Sequence, residues 1–165
     1  MIFVITGTEQ FPFDRLVQEV DRLKRLRVFD DDVFVQLGTC NYEPEHCSWE
    51  RFLSFDEMAN RIQEATLTIA HAGAGTTLLC LRLLKRPIIV TRMKKYGEHI
   101  DDHQVFFAQN FETNGQVDAV YEIDGLERIA RIRLSGQGPA STPVNVDGAK
   151  NLAQYMDTLL AGWPV

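Results

Sequence analysis

The stretch HAGAGTT, residues 71–77, sets a histidine, two glycines and two hydroxyls between the apolar runs LTIA and LLCLRLL. Glycine weakens both a strand and a helix. A backbone this bare therefore marks either a tight turn or a place where something approaches the main chain closely. At a strand-to-helix turn that something is an anion. Gly73 and Gly75 let it in, and the free N–H groups of the following helix point at it with roughly half a positive charge. His71, Ala72 and Ala74 complete the turn, and Thr76 and Thr77 add hydroxyl donors. The motif lacks the lysine of a Walker loop and the third glycine of a dinucleotide G-x-G-x-x-G. Glycines that serve packing alone are the plain alternative.

A second polar cluster is GEHIDDHQ, residues 97–104. His99 and His103 are four apart with Asp101 and Asp102 between them, which invites a metal. No thiolate or distant third ligand joins them, and two histidines alone make a poor site. Asp102, His103 and Gln104 suit a carbohydrate better, because such side chains supply the dense hydrogen bonding that sugar hydroxyls need. Asp101 also fits an ordinary first-turn acid. Arg92, Lys94 and Lys95 form a local positive patch, either for a pyrophosphate or anionic lipid or simply solvated. Lys85 and Arg86 fall at the opposite end of the same strand. In CNYEPEHC, proline and two glutamates mark a surface turn rather than a zinc site around His46.

These residues need elements that bring them together. Apolar runs predict strands over 2–6, 32–37, 51–55, 67–71, 87–91 and 117–121. Helical spacing predicts helices over 13–26 with Asp14 as cap, 56–65 with Asp56 as cap, 75–85, 100–111 and 125–134. Residues 40–49 read as loop and 135–145 as a mobile Gly/Ser/Pro linker. A last helix, 148–163, carries an apolar stripe from Leu152 to Trp163 suited to a partner or to the domain's own core. The alternation predicts a single α/β domain over 1–165, a Rossmann-like, doubly wound parallel sheet. Ligands of such sheets bind beyond the carboxyl ends of the strands. That edge collects Gly7 and Thr8, Gly38 and Thr39, HAGAGTT, and the segment 92–104.

Composition narrows the classes. The formal net charge of −6 over 165 residues argues against nucleic acid. Three cysteines without a C-x-x-C pair fit free thiols in a reducing compartment. No apolar run approaches the ~18 residues of a membrane span, and no signal peptide is evident. The expected location is cytoplasmic.

The order and wording of IFVITGTEQFPFDRLV (2–17), VQLGTCNYEP (35–44), FLSFDEM (52–58), ATLTIAHAGAGTTLLCLRLLKRPIIVTR (65–92) and YGEHIDDHQ (96–104) resemble the C-terminal, donor-binding domain of glycosyltransferase family 28. The resemblance is to the stand-alone subunits of two-component transferases, and most to their bacterial capsule and exopolysaccharide branch. It implies one half of a GT-B type, inverting hexosyltransferase that uses a UDP-sugar. Ala72 to Thr77 would hold the diphosphate, and His103 and Gln104 would contact the donor sugar. Gly7 and Thr8 would line the cleft, and Phe55 and Met58 would begin the uracil pocket. No metal and no cofactor are expected, because the helix start neutralises the leaving diphosphate. The missing half, with the base, would come from a membrane-anchored subunit that binds a polyprenyl-linked acceptor. That subunit would hold the chain at the inner face of the cytoplasmic membrane. One departure stands out: Leu79 occupies the position of the family's usual ribose-binding glutamate. It leaves open a non-catalytic sugar-nucleotide module or a structural partner. Leu84, in place of a common glycine, reads as harmless packing.

Overall fold

The computed structural model describes residues 1–136. Six strands, β1 (Ile2–Ile5), β2 (Val33–Gln36), β3 (Ser48–Glu50), β4 (Leu67–His71), β5 (Ile88–Val90) and β6 (Asp118–Val120), form one sheet. Every pairing is parallel. The order is β3-β2-β1-β4-β5-β6, so the winding reverses beside β1 and a crevice opens between β1 and β4. The helices are α1 (Asp14–Arg25), α2 (Phe55–Glu64), α3 (Ala74–Arg82), α4 (His103–Thr113) and α5 (Gly125–Leu134).

The strands are apolar throughout because both faces are covered. On one face Val4, Ile69 and Val90 join Leu16 and Val20 of α1 and Leu126 of α5. On the other, Phe3, Ile5 and Ala70 meet Ile62 of α2 and Cys80 of α3. Farther along that face, Ile89 and Ala119 meet Phe107 and Phe111 of α4. Each fully buried Leu, Ile or Phe contributes roughly 1.5–3 kcal/mol. The register aligns Ile5 with Gln36 on one side and with Ala70 on the other. The loops after β1, β2 and β4 therefore leave the sheet at one level.

Several expected boundaries move. The third strand is Ser48–Glu50, inside the segment read as loop, and not 51–55. It is a three-residue edge strand whose inward side chain is Trp49, too short to give an alternating signal. Asp14 does not cap α1; its carboxylate accepts from the Asn41 and Tyr42 N–H groups and ties down the loop after β2. Ser54, not Asp56, caps α2. Helix α4 starts at His103 rather than at 100, after a loop with one 3-10 turn at Lys94–Tyr96. Residues 137–165, with most of the expected linker and all of the last helix, lie outside the described residues.

Helix α3 stops at Arg82, not 85, in a Schellman turn. The Lys85 N–H donates to Cys80 O at 2.9 Å and the Leu84 N–H to Leu81 O at 3.0 Å. Leu84 takes the left-handed conformation there, φ +57°, with its side chain exposed. It is a strained turn residue and not packing. An L residue in that region costs about 1–2 kcal/mol.

Candidate functional site

Helix α3 begins at the end of β4, beside the crevice. Its N-cap is Gly73, no side chain caps it, and its first turn has no acid. The first N–H groups of a helix have no partner within it, so this start faces the crevice with donors free of any side-chain cap. The polarity suits an anion.

The glycines divide into two kinds. A Cβ on Gly73 would lie 2.1 Å from Cε1 of His71, and one on Gly7 would lie 2.6 Å from its Nε2. These two residues are bare because the His71 ring is wedged between them. Gly7 also needs its φ of +91°. Packing thus explains Gly73, against the expectation that it makes room for a ligand. Gly75 is different: nothing lies within 4 Å of an added Cβ, and the residue is exposed.

His71 is buried, and its pKa is pushed down to about 3, first by burial and then by the charges of Arg92 and His99. It is a neutral ring at physiological pH. Nε2 lies 3.3 Å from Thr76 Oγ1. Nδ1 has no partner among the described residues, nor does the buried Thr77 hydroxyl. Ala72 is buried and Ala74 half-buried against the α4 cluster.

Gln36 joins the site without any motif to mark it. It is fully buried at the end of β2. Its Oε1 accepts from the Gly7 N–H at 3.0 Å, and its Nε2 donates to Gly7 O and Arg51 O, both at 3.0 Å. One amide thereby locks the loops after β1, β2 and β3. The only sequence signal is a polar residue ending an otherwise apolar strand.

The segment after β5 is organised by buried charge. Arg92 is not part of an exposed patch. It is 1% exposed, and its guanidinium donates to Thr6 O at 2.7 Å, Phe11 O at 2.5 Å and Glu98 O at 3.1 Å. It is a strut between the loops after β1 and β5, which corrects its reading as a ligand contact. Lys94 and Lys95 are exposed, and Lys95 pairs with Glu122. Glu98 takes a two-pronged bond from Arg15 at 2.8 and 2.9 Å and another from the Met93 N–H. Gln104 is buried, and its Oε1 accepts from the Arg92 N–H at 3.3 Å, which leaves its amide N–H groups to donate. Asp102 closes the loop by accepting from the Lys94 N–H at 2.8 Å. His103 is exposed, and its Nδ1 contacts Asp101 Oδ1. Its ring meets the half-buried His99 edge-on at 4.5 Å.

Asp101, which lies between the two histidines in sequence, joins them in space. Ligand atoms of His99, Asp101 and His103 lie within 4.8 Å of one another. Asp101 Oδ1 is already engaged by the His103 N–H and ring. On the far side of α3, Phe55 is exposed at the start of α2, and Met58 is half-buried in the cluster that also holds Leu79. Leu79 thus brings no polar atom to that side. Thr8 is exposed beyond Gly7.

The sheet order and the open helix start at its switch point define a Rossmann-like domain of the kind found in GT-B glycosyltransferases. A family model described as the glycosyltransferase family 28 C-terminal domain matches residues 1–154, and the chain belongs to that family. It is 26% identical over 140 residues to the UDP-N-acetylglucosamine transferase subunit ALG13 of Yarrowia lipolytica (strain CLIB 122 / E 150), covering 77% of this chain and 71% of that protein. Among solved structures it is similar to MurG of Acinetobacter baumannii, with a TM-score of 0.51 and 17% identity. That match covers 76% of this chain but only 39% of MurG. Family membership supports transferase activity. No helix among the described residues is long and apolar enough to cross a membrane.

Proposed function

We propose that the chain is the donor-binding subunit of a two-part, inverting glycosyltransferase that takes its sugar from a UDP-sugar, with UDP-N-acetylglucosamine the first candidate. The observation that carries this reading is the uncapped start of α3 beside the crevice of a family 28 domain. The name of the Yarrowia relative supports the donor and the need for a partner. The diphosphate sits on the N–H groups of residues 74–76, which stabilise the charge that develops as the glycosidic bond breaks. His103 and the amide of Gln104 receive the sugar hydroxyls, while Phe55 and Met58 flank the uracil. The acceptor is a polyprenyl-diphosphate-linked saccharide of surface polysaccharide synthesis, presented by a membrane-anchored subunit that also supplies the base. The chain works at the cytoplasmic face of the membrane through that subunit.

The test is titration calorimetry of the chain with UDP and with UDP-N-acetylglucosamine, followed by an activity assay with the partner co-expressed. Both ligands should bind. His103→Ala should weaken the sugar nucleotide about fivefold and leave UDP unchanged, since a lost hydrogen bond costs on the order of 1 kcal/mol. Equal losses for both ligands would place His103 at the nucleotide. Binding without activity in the assembled pair would favour a non-catalytic module, the reading that Leu79 suggests.

A further inference from the structure

The opposite edge of the sheet holds a feature that donor binding does not use. Beneath the start of β4 lies a cavity of about 310 Å³, walled by Thr66, Thr68, Lys85, Arg86 and Arg133. Its charge is unbalanced. Arg86 and Arg133 share one carboxylate, that of Asp118, each at 2.7 Å. The Lys85 ammonium has a single neutral acceptor, Ala65 O at 2.9 Å. The nearby carboxylate of Asp31 is held by the N-terminal ammonium at 3.3 Å and by the Thr66 hydroxyl at 2.9 Å. Three cations therefore face this cavity against one carboxylate.

Two polar atoms of its wall also lack partners. Thr68 is 3% exposed, and its hydroxyl makes no hydrogen bond among the described residues; neither does Nε of Arg86. Buried donors are normally satisfied. Unpaired donors within a polar cavity that has a surplus of cations call for an acceptor that carries charge. We propose that this cavity is an oxyanion site for a phosphate group, with Thr68, Lys85 and Arg86 as its donors. It is separate from the donor site, at the other end of β4, and it does not depend on the function proposed above. The phosphate belongs either to a soluble phosphorylated molecule or to a lipid head group.

The experiment is a titration of the isotopically labelled full chain with inorganic phosphate, followed by NMR. Saturable shifts are expected at Thr66, Thr68, Lys85 and Arg86, and they should persist when UDP is also present. Thr68→Val and Lys85→Met should each weaken them at least fivefold. Thr68→Val changes little in shape, so it serves if Lys85→Met does not fold. Sedimentation with phosphatidylglycerol vesicles, against phosphatidylcholine vesicles, separates the sources. Pelleting that both substitutions abolish assigns the site to head groups. No pelleting, or pelleting that survives both, with the phosphate shifts intact, assigns it to soluble phosphates. Shifts confined to residues 73–77, or shifts at the cavity that both substitutions leave unchanged, would overturn the proposal.

Discussion

Helices α2 and α3 start at the same edge of the sheet and pack on each other, yet their first turns are built in opposite ways. Helix α2 is closed. The Ser54 hydroxyl accepts from the Glu57 N–H, the Glu57 carboxylate accepts from the Ser54 N–H, and Asp56 adds a second early acid. Helix α3 is open, with glycine at its cap, no acid and a neutral imidazole beneath it. One start satisfies its donors from its own sequence; the other leaves them to an outside anion. A fold that spends a complete capping box on one helix and none on its neighbour has a use for the second helix's free charge.

The largest expected effect tests what the bare residues of α3 are for. Gly73→Ala puts a carbon 2.1 Å from a buried ring atom. His71 has no room to retreat, because Gly7 is closed against its other side. Overpacking of this kind costs about 3 kcal/mol, measured as a lowered denaturation midpoint. If Gly73→Ala is as stable as the parent, the wedge is not tight and the glycine serves the ligand after all.

The pH dependence should separate the two starts next. In the unfolded chain the His71 imidazole protonates near 6.5, whereas in the fold it stays neutral down to about 3. Between those values the unfolded state binds more protons, so stability falls as pH drops. The slope approaches ~1.4 kcal/mol per pH unit, or about 2 kcal/mol from pH 7 to pH 5. His71→Asn should remove that slope. The start of α2 responds later. Its Glu57 carboxyl is held below the usual glutamate value by its bonds to Ser54, so its contribution is lost only as pH falls below about 4.5. Urea denaturation across pH 4–8 in parent and variant decides it; parallel curves would show that His71 titrates alike in both states.

A smaller effect is expected at α2 itself. Ser54→Ala removes the cap and should cost about 1 kcal/mol. UDP affinity should not change, because the diphosphate does not sit on that start and the substitution leaves Phe55 and Met58 in place. Calorimetry of the variant checks the second half of the statement.

The architecture was legible because its signals are periodic and repeated: five strands fall in apolar runs, and α1, α4 and α5 each bury residues at helical spacing. Edge strand β3 was missed because three residues around one tryptophan carry no period. At the site, the identity of the loops was legible from their glycines and polar residues, but the work each residue does was not. Gly73 and Gly75 look alike in sequence, and only the position of the His71 ring tells them apart. Arg92 looks like a surface charge until the carbonyls of Thr6, Phe11 and Glu98 are seen around it. Gln36 and Glu98 act through partners far away in sequence, and a local pattern cannot show those. Leu84 shows only its apolarity in the sequence, whereas its backbone conformation is what matters there.

The finest test converts one start into the other. Gly75→Glu places in α3 an early acid at the position that Asp56 holds in α2, two residues after the cap. The position is exposed and nothing lies within 4 Å of the new Cβ, so the fold has room for it. Replacing glycine in a helix and adding a negative charge near its N-terminus are both favourable, and the dipole contribution is about 0.3–1 kcal/mol. The variant should therefore be slightly more stable than the parent. The same carboxylate now occupies the field that an incoming diphosphate needs and repels it. UDP affinity should fall at least tenfold while the melting temperature rises by a degree or more. Opposite signs for stability and binding from one substitution are what an open, anion-ready helix start requires. If affinity survives, the diphosphate does not use this turn; if stability falls, the start of α3 already has partners for its donors, and its contrast with α2 disappears.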